Sequence, residues 1–254
     1  MTTTIDIELS APVNLRDLGG IPIAGGVVRE GLAVRADDLS VVTAADADEL
    51  VARGLTAVID LRTTDEAALT GRGPLAQRPV AYHHLPLMAS IGEGMPQDGP
   101  VAIDHAHMGE MYARMVEGAA PQLVSALSII ALAPGTTAFH CAAGRDRTGV
   151  LAAVLLLALG AEDDDIVADY ARTDPNMPAI QERMRPVMGV LMARLGFDLE
   201  EMSRLTTSDE PMDVSMRTML SRLRERHGDP LAPLRAAGLG EDLIARLRAR
   251  ALVA

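Results

Sequence analysis

The stretch TAFHCAAGRDRTG at residues 137–149 runs straight into twelve almost wholly apolar residues from Val150 to Ala161, and it limits this chain's fold more than any other feature. A helix that is apolar all round has to be buried, and twelve residues are too few to cross a bilayer. The stretch therefore reads as a short strand over 137–140, a tight loop over 141–147 and a core helix over 148–159. Leu55–Leu61, with its β-branched residues and charged end, fits a buried parallel strand opening onto a site, and Val80–Leu87 fits another. Short apolar pieces broken by glycines between Asn14 and Ala36 predict a small β region ahead of them. A helix over 43–53 is marked by Thr43 as N-cap, Asp46 three residues on, and Gly54 as the stop. Helical patterns follow over 105–117, 121–133, 163–172, 178–195, 199–205, 212–227 and 240–251, and residues 88–100 read as an exposed loop. Strands alternating with helices predict one α/β domain over residues 1–254, with a central mostly parallel sheet flanked by helices and a helical layer near its site.

Composition narrows the chemistry. The 254 residues include one cysteine, so no intramolecular disulfide can form and Cys141 serves either packing or chemistry. Only five residues are aromatic, and eight of 14 methionines fall between 177 and 219, which suggests an adaptable helical layer there. A net charge of -12 argues against a nucleic-acid partner. All 23 cationic side chains are arginine, which removes Schiff-base, lysine-base and P-loop-lysine mechanisms. The start, MTTTIDIELSAPV, lacks the basic and apolar regions of a signal peptide, so a cytoplasmic protein without stable membrane insertion is expected. Oligomeric state is left open.

The loop itself suggests a reaction. Between a strand and a helix amino terminus, the backbone N–H groups of Ala142, Ala143, Gly144, Arg145 and Asp146 can turn inward and bind a phosphoryl group. Cys141 at the base of that nest would be a thiolate nucleophile. Arg147 could grip two phosphoryl oxygens with its planar fork. Gly144 permits the turn, and the Thr148 hydroxyl could donate to the sulfur. Such a set is expected of a cysteine-dependent phosphatase that needs no cofactor or metal, because amides and arginine supply the electrostatic stabilisation. The plainer alternative is a buried structural cysteine.

Three motifs carry a family resemblance: NLRDLGG at 14–20, the strand end Ile59-Asp60-Leu61-Arg62 followed by Glu66, and HCAAGRDRTG continuing to Asp169 and Tyr170. Over roughly residues 12–172 the chain resembles the bacterial tyrosine phosphatase family of the protein tyrosine phosphatase B and lipid-phosphatase-like type. The resemblance implies a cysteine-phosphatase-like fold and a phosphorylated protein or phosphoinositide as substrate. It also implies a helical lid somewhere in about 174–228 and Asp60 as the acid for the leaving group. Arg145 stands where the family usually has lysine. Asp146 is the second candidate acid, while Asp98 and Asp104 lie 43 and 37 residues before Cys141, where other cysteine phosphatases carry a mobile acid.

Other charged groups have simpler readings. Arg16 and Arg35 are expected to form ion pairs, and Arg235, Arg246, Arg248 and Arg250 a solvated helix face. His83-His84 and His105-x-His107 lack the cysteine or HExxH company of a zinc site. Three rival functions remain: a dual-specificity or phosphoinositide phosphatase, a catalytically silent phosphate-binding module, and a sulfurtransferase.

Overall fold

A computed structural model describes residues 8–91, 104–194 and 211–252. Its main sheet has five strands, β1 (Arg16–Asp17), β4 (Ala33–Ala36), β5 (Leu55–Asp60), β6 (Ala81–His84) and β7 (Thr136–His140), in the order β1-β4-β7-β5-β6. A two-stranded ribbon, β2 (Pro22–Ile23) with β3 (Gly26–Val27), stands beside it. The ribbon is antiparallel; within the main sheet β1 runs antiparallel to β4, and the other pairings are parallel. Alternation along the central strands serves both faces of the sheet. Val58 and Ala138 enter a smaller core with Leu39, Ala47 and Leu50, whereas Ile59 and Phe139 enter the main core.

The helices are α1 (Ala44–Ala52), α2 (Thr64–Thr70), α3 (His105–Gly118), α4 (Ala120–Leu132), α5 (Asp146–Leu159), α6 (Asp163–Ala171), α7 (Met177–Arg194), α8 (Asp213–His227), α9 (Ala232–Ala236) and α10 (Glu241–Ala251). Helix α1 has the expected capping box of Thr43 and Asp46. The short α2, which has no apolar stripe to announce it, uses the same device with Thr63 and Glu66. Helix α5 is buried almost throughout, from Arg147 to Leu159, and ends on left-handed Gly160. Trimming a side chain such as Leu155 to alanine there should cost about 2–5 kcal/mol. The expected helix over 199–205 lies outside the described residues. No single helix among those described is long and apolar enough to cross a membrane.

Two features position the site. Ala36 and Asp60 both pair with His140, so β4, β7 and β5 finish level and the segments after them converge at one edge of the sheet. Moreover, α5 begins at Asp146 and not at Thr148, which puts Asp146 and Arg147 in its first turn rather than in a loop.

The methionine-rich region divides in two. Ile180, Met184, Val187 and Leu191 of α7 pack on Ala142, whereas Met216, Met219, Leu220 and Leu223 of α8 belong to the main core, with α8 against α3 and α6. Of the region 174–228 in which a lid is expected, α7 meets the loop and α8 is structural.

Candidate active site

Cys141 follows β7 directly and is buried. The carbonyls of the next three residues are all taken from outside the loop. The Asp38 N–H donates to the Ala142 carbonyl at 3.0 Å, and the Asn14 side-chain amide donates to those of Ala143 and Gly144 at 3.3 and 3.2 Å. Arg35 Nη2 adds a bond to the Gly144 carbonyl at 2.9 Å. In a trans peptide the N–H points opposite to the carbonyl, so the amides of Ala143, Gly144 and Arg145 are directed to the loop's other side. That is the arrangement of an anion-binding nest.

Gly144 is required by both shape and space. Its φ is +67°, and a Cβ there would lie 2.5 Å from the Ala36 carbonyl oxygen. The level ending of β4 and β7 forces this close approach.

The NLRDLGG motif supports the loop from below. Asp17 accepts from the N–H groups of Gly19 and Gly31, closing the first turn. Arg16 Nε donates to Asp169 Oδ1 at 2.9 Å, and Arg35 donates to Asp169 Oδ2. Burial first, then the neighbouring Arg35, lowers the Arg16 pKa to about 10 despite that pairing. Arg16 and Arg35 therefore act as ion-pair formers that join β1 and β4 to α6. Arg183 of α7 donates to Asp37 Oδ2 at 2.6 Å and to the carbonyls of Ser10 and Asp38, and Asp37 Oδ1 accepts from the Asn14 N–H. These bonds fasten α7 across the loop.

Arg147 is held as a fork. Its two terminal nitrogens donate to Glu66 Oε2 and Oε1 at 2.5 and 2.9 Å, and Glu66 Oε2 also accepts from the Thr63 N–H at 2.7 Å. Burial opposes the Arg147 charge, but Glu66 and then Cys141 outweigh it, so the guanidinium is firmly protonated. Burial likewise opposes the Glu66 carboxylate, and Arg147 with Thr63 reverses that and lowers its pKa. Glu66 carries the orientation of Arg147, a role visible in the sequence only as a motif position. Thr148 Oγ1 is buried and makes no hydrogen bond among the described residues, so the expected donation to the sulfur is not formed here.

The two candidate acids occupy opposite environments. Asp60 has no exposed surface; its oxygens accept from Arg62 Nε and Nη2 at 2.9 and 2.6 Å, and Oδ2 accepts from the Tyr82 hydroxyl at 2.7 Å. Burial would raise its pKa, but His140, Arg62 and Tyr82 together hold it well below the ordinary carboxylate range. Such a group is a poor proton donor. Asp146, by contrast, is 32% exposed on its side chain and stands in the first turn of α5, where Tyr112 donates to its Oδ1. Arg145 Nε lies 3.3 Å from the Tyr170 hydroxyl and 3.6 Å from Asp146 Oδ1.

The remaining candidates have structural duties. Asp104 caps α3 through the His107 N–H, and His105 Nδ1 lies 3.0 Å from the Ser215 hydroxyl. His84 Nε2 meets the Arg62 carbonyl at 2.9 Å. Arg235 pairs with Asp229 and Glu241, while Arg248 and Arg250 donate to the carbonyls of Ala158, Ala133 and Gly135. Asp98 lies outside the described residues. No group of three metal-ligating side chains stands together among those described.

The chain is similar in sequence to several known proteins. A tyrosine-protein phosphatase of Cupriavidus necator is 34% identical over 179 residues, covering 66% of this chain and 63% of its own. One from Nostoc commune is 35% identical over 139 residues, 54% of this chain and 47% of its own. The chain thus spans somewhat under two thirds of the first and about half of the second. The triple specificity protein phosphatase PtpB of Mycobacterium tuberculosis is 27% identical over 276 aligned positions, 95% of this chain and 97% of its own. A crystal structure of TpbA from P. aeruginosa with phosphotyrosine covers 75% of this chain and 88% of its own, at 15% identity and a TM-score of 0.32. The sequence profile of the tyrosine phosphatase family matches residues 7–253, and the chain belongs to that family.

Proposed function

We propose that this chain is a cysteine-dependent phosphatase that hydrolyses phosphotyrosine-type monoesters through a cysteinyl-phosphate. The observation that carries the reading is the Arg147 fork, pinned by Glu66 in the first turn of α5 and held in the field of Cys141. A structural cysteine would need neither that buried pair nor a loop whose carbonyls are all bonded from behind. Likeness to named tyrosine phosphatases over most of the chain supports it.

In the first step the Cys141 thiolate attacks phosphorus, the P–O bond to the leaving group breaks, and that oxygen takes a proton. Asp146 supplies this proton, because it is partly exposed at the helix start while Asp60 is neutralised by Arg62. In the second step water attacks phosphorus, gives its proton back to Asp146, and the P–S bond breaks to restore the thiolate. Loop amides and Arg147 stabilise the equatorial oxygens throughout.

A broader substrate range is the second reading, and it rests on the name of the relative matched over nearly its whole length. A panel of phosphotyrosine, phosphoserine and phosphoinositide substrates decides between the two, with vanadate as inhibitor. Phosphotyrosine turnover that vanadate blocks and Cys141→Ser abolishes is the expected result. Full activity in Cys141→Ser would overturn the reading, and tight phosphopeptide binding without phosphate release would make the chain a binding module.

A further inference from the structure

The chain has only three tyrosines, and every one of their hydroxyls is committed to a candidate acid or to another tyrosine. Tyr82 donates to Asp60. The other two lie on α3 and α6, both fully buried, with rings edge to face at 6.1 Å between centroids. Tyr112 donates to Asp146 Oδ1, and its oxygen is 2.9 Å from that of Tyr170. A phenol has one proton to give. With the Tyr112 proton directed at Asp146, Tyr170 must donate to Tyr112, and Arg145 Nε donates to Tyr170. The direction of the chain from Arg145 through both phenols to Asp146 is thereby fixed.

Burying two phenolic hydroxyls is costly unless each finds a partner. Phenylalanine would fill both positions without that cost. The fold also makes room for the arrangement: a Cβ on Gly149 would lie 2.9 Å from the Tyr170 ring. Asp146 is meanwhile exposed enough to turn freely about its own bonds unless something restrains it.

We propose that Tyr112, backed by Tyr170, is a positioning residue for proton transfer, holding Oδ1 of Asp146 so that Oδ2 carries the proton to the leaving oxygen. This rests on the assignment of Asp146 as the acid. Losing the tether should matter in proportion to how much the leaving group needs a proton, and it should leave substrate binding alone.

The test compares phenyl phosphate, whose leaving oxygen needs protonation, with an aryl phosphate of a strongly acidic phenol. All three variants are read in kcat/KM, which reports the steps up to the cysteinyl-phosphate and leaves out its hydrolysis; in Tyr112→Phe it should fall about tenfold for phenyl phosphate and about twofold or less for the second substrate. Tyr170→Phe, one link further away, should show the same pattern at about threefold and covers the case in which Tyr112→Phe folds poorly. Asp146→Asn in the same assay separates two failures. Equal loss on both substrates in Asp146→Asn would show that Asp146 is not the acid. A leaving-group pattern in Asp146→Asn but in neither tyrosine variant would overturn the positioning role alone. Equal loss on both substrates in the tyrosine variants, with lowered Tm, would reduce them to packing residues.

Discussion

Asp60 and Asp146 are the same residue type beside the same loop, each held by a tyrosine hydroxyl, and the fold gives them opposite surroundings. Asp60 ends a central strand, where Arg62 folds back on it and Asp38, Ser40, Thr70 and the Gly71 carbonyl accept the guanidinium's other bonds. It is a buried ion pair that joins the segments after β4 and β5. Asp146 begins a helix, keeps a third of its side chain exposed, and has Arg145 3.6 Å away as a looser partner. The difference teaches that what a carboxylate does is set by how many of its lone pairs the fold has already occupied. Both oxygens of Asp60 are taken up by Arg62 and Tyr82, whereas Tyr112 holds Asp146 through Oδ1.

Substitutions can break this contrast, beginning with the largest effect. Asp60→Asn leaves the buried Arg62 charge short of a partner and should destabilise the fold by about 3–5 kcal/mol, read as a fall in Tm. The folded fraction should keep its normal leaving-group dependence. A stable Asp60→Asn protein that has lost leaving-group protonation would invert the comparison.

Acid should act on the same site. The Asp60 pKa is lowered by folding, so its contribution is present above the unfolded value of about 3.9 and is lost as pH falls below it. The stability gap between wild type and Asp60→Asn should therefore narrow in urea titrations taken from neutral pH to the acid side. A gap constant with pH would mean that Asp60 is not held as a carboxylate.

Asp146→Asn should do the reverse. A loss of about a hundredfold in kcat on phosphotyrosine, with little change in Tm, is the expected cost of removing a general acid. An Asp146→Asn enzyme of normal kcat would remove it from the mechanism. The smallest effect is expected of Tyr82→Phe, which should cost about 1 kcal/mol of stability and leave the dependence on leaving group untouched. Any steepening of that dependence would bring Asp60 back into the chemistry.

Much of the architecture is legible in the amino-acid order. The 3.6-residue period and the caps place α1, α3 to α8 and α10 to within one or two residues, and the loop between β7 and α5 is marked by its glycine and charges. The start of α5 comes two residues earlier than its apolar pattern places it, because GRD suits either a turn or a first helical turn. Helix α2 escapes the pattern because its purpose is to deliver Glu66 to Arg147, which leaves no apolar stripe to read. The surroundings of the two acids are hidden as well, since the groups that hold Asp60 ionised include Tyr82 from β6 and His140 from β7. Tyr112 lies 34 residues before Asp146 and meets it only through the packing of α3 on α5.

The central claim is that phosphate passes through Cys141 under the grip of Arg147. Acid quenching of the enzyme during turnover of an aryl phosphate, followed by mass mapping of its peptides, tests it most directly. The account predicts one phosphoryl group on the peptide containing Cys141, absent from Cys141→Ser. Steady turnover with that peptide unmodified and phosphate on another residue would contradict it.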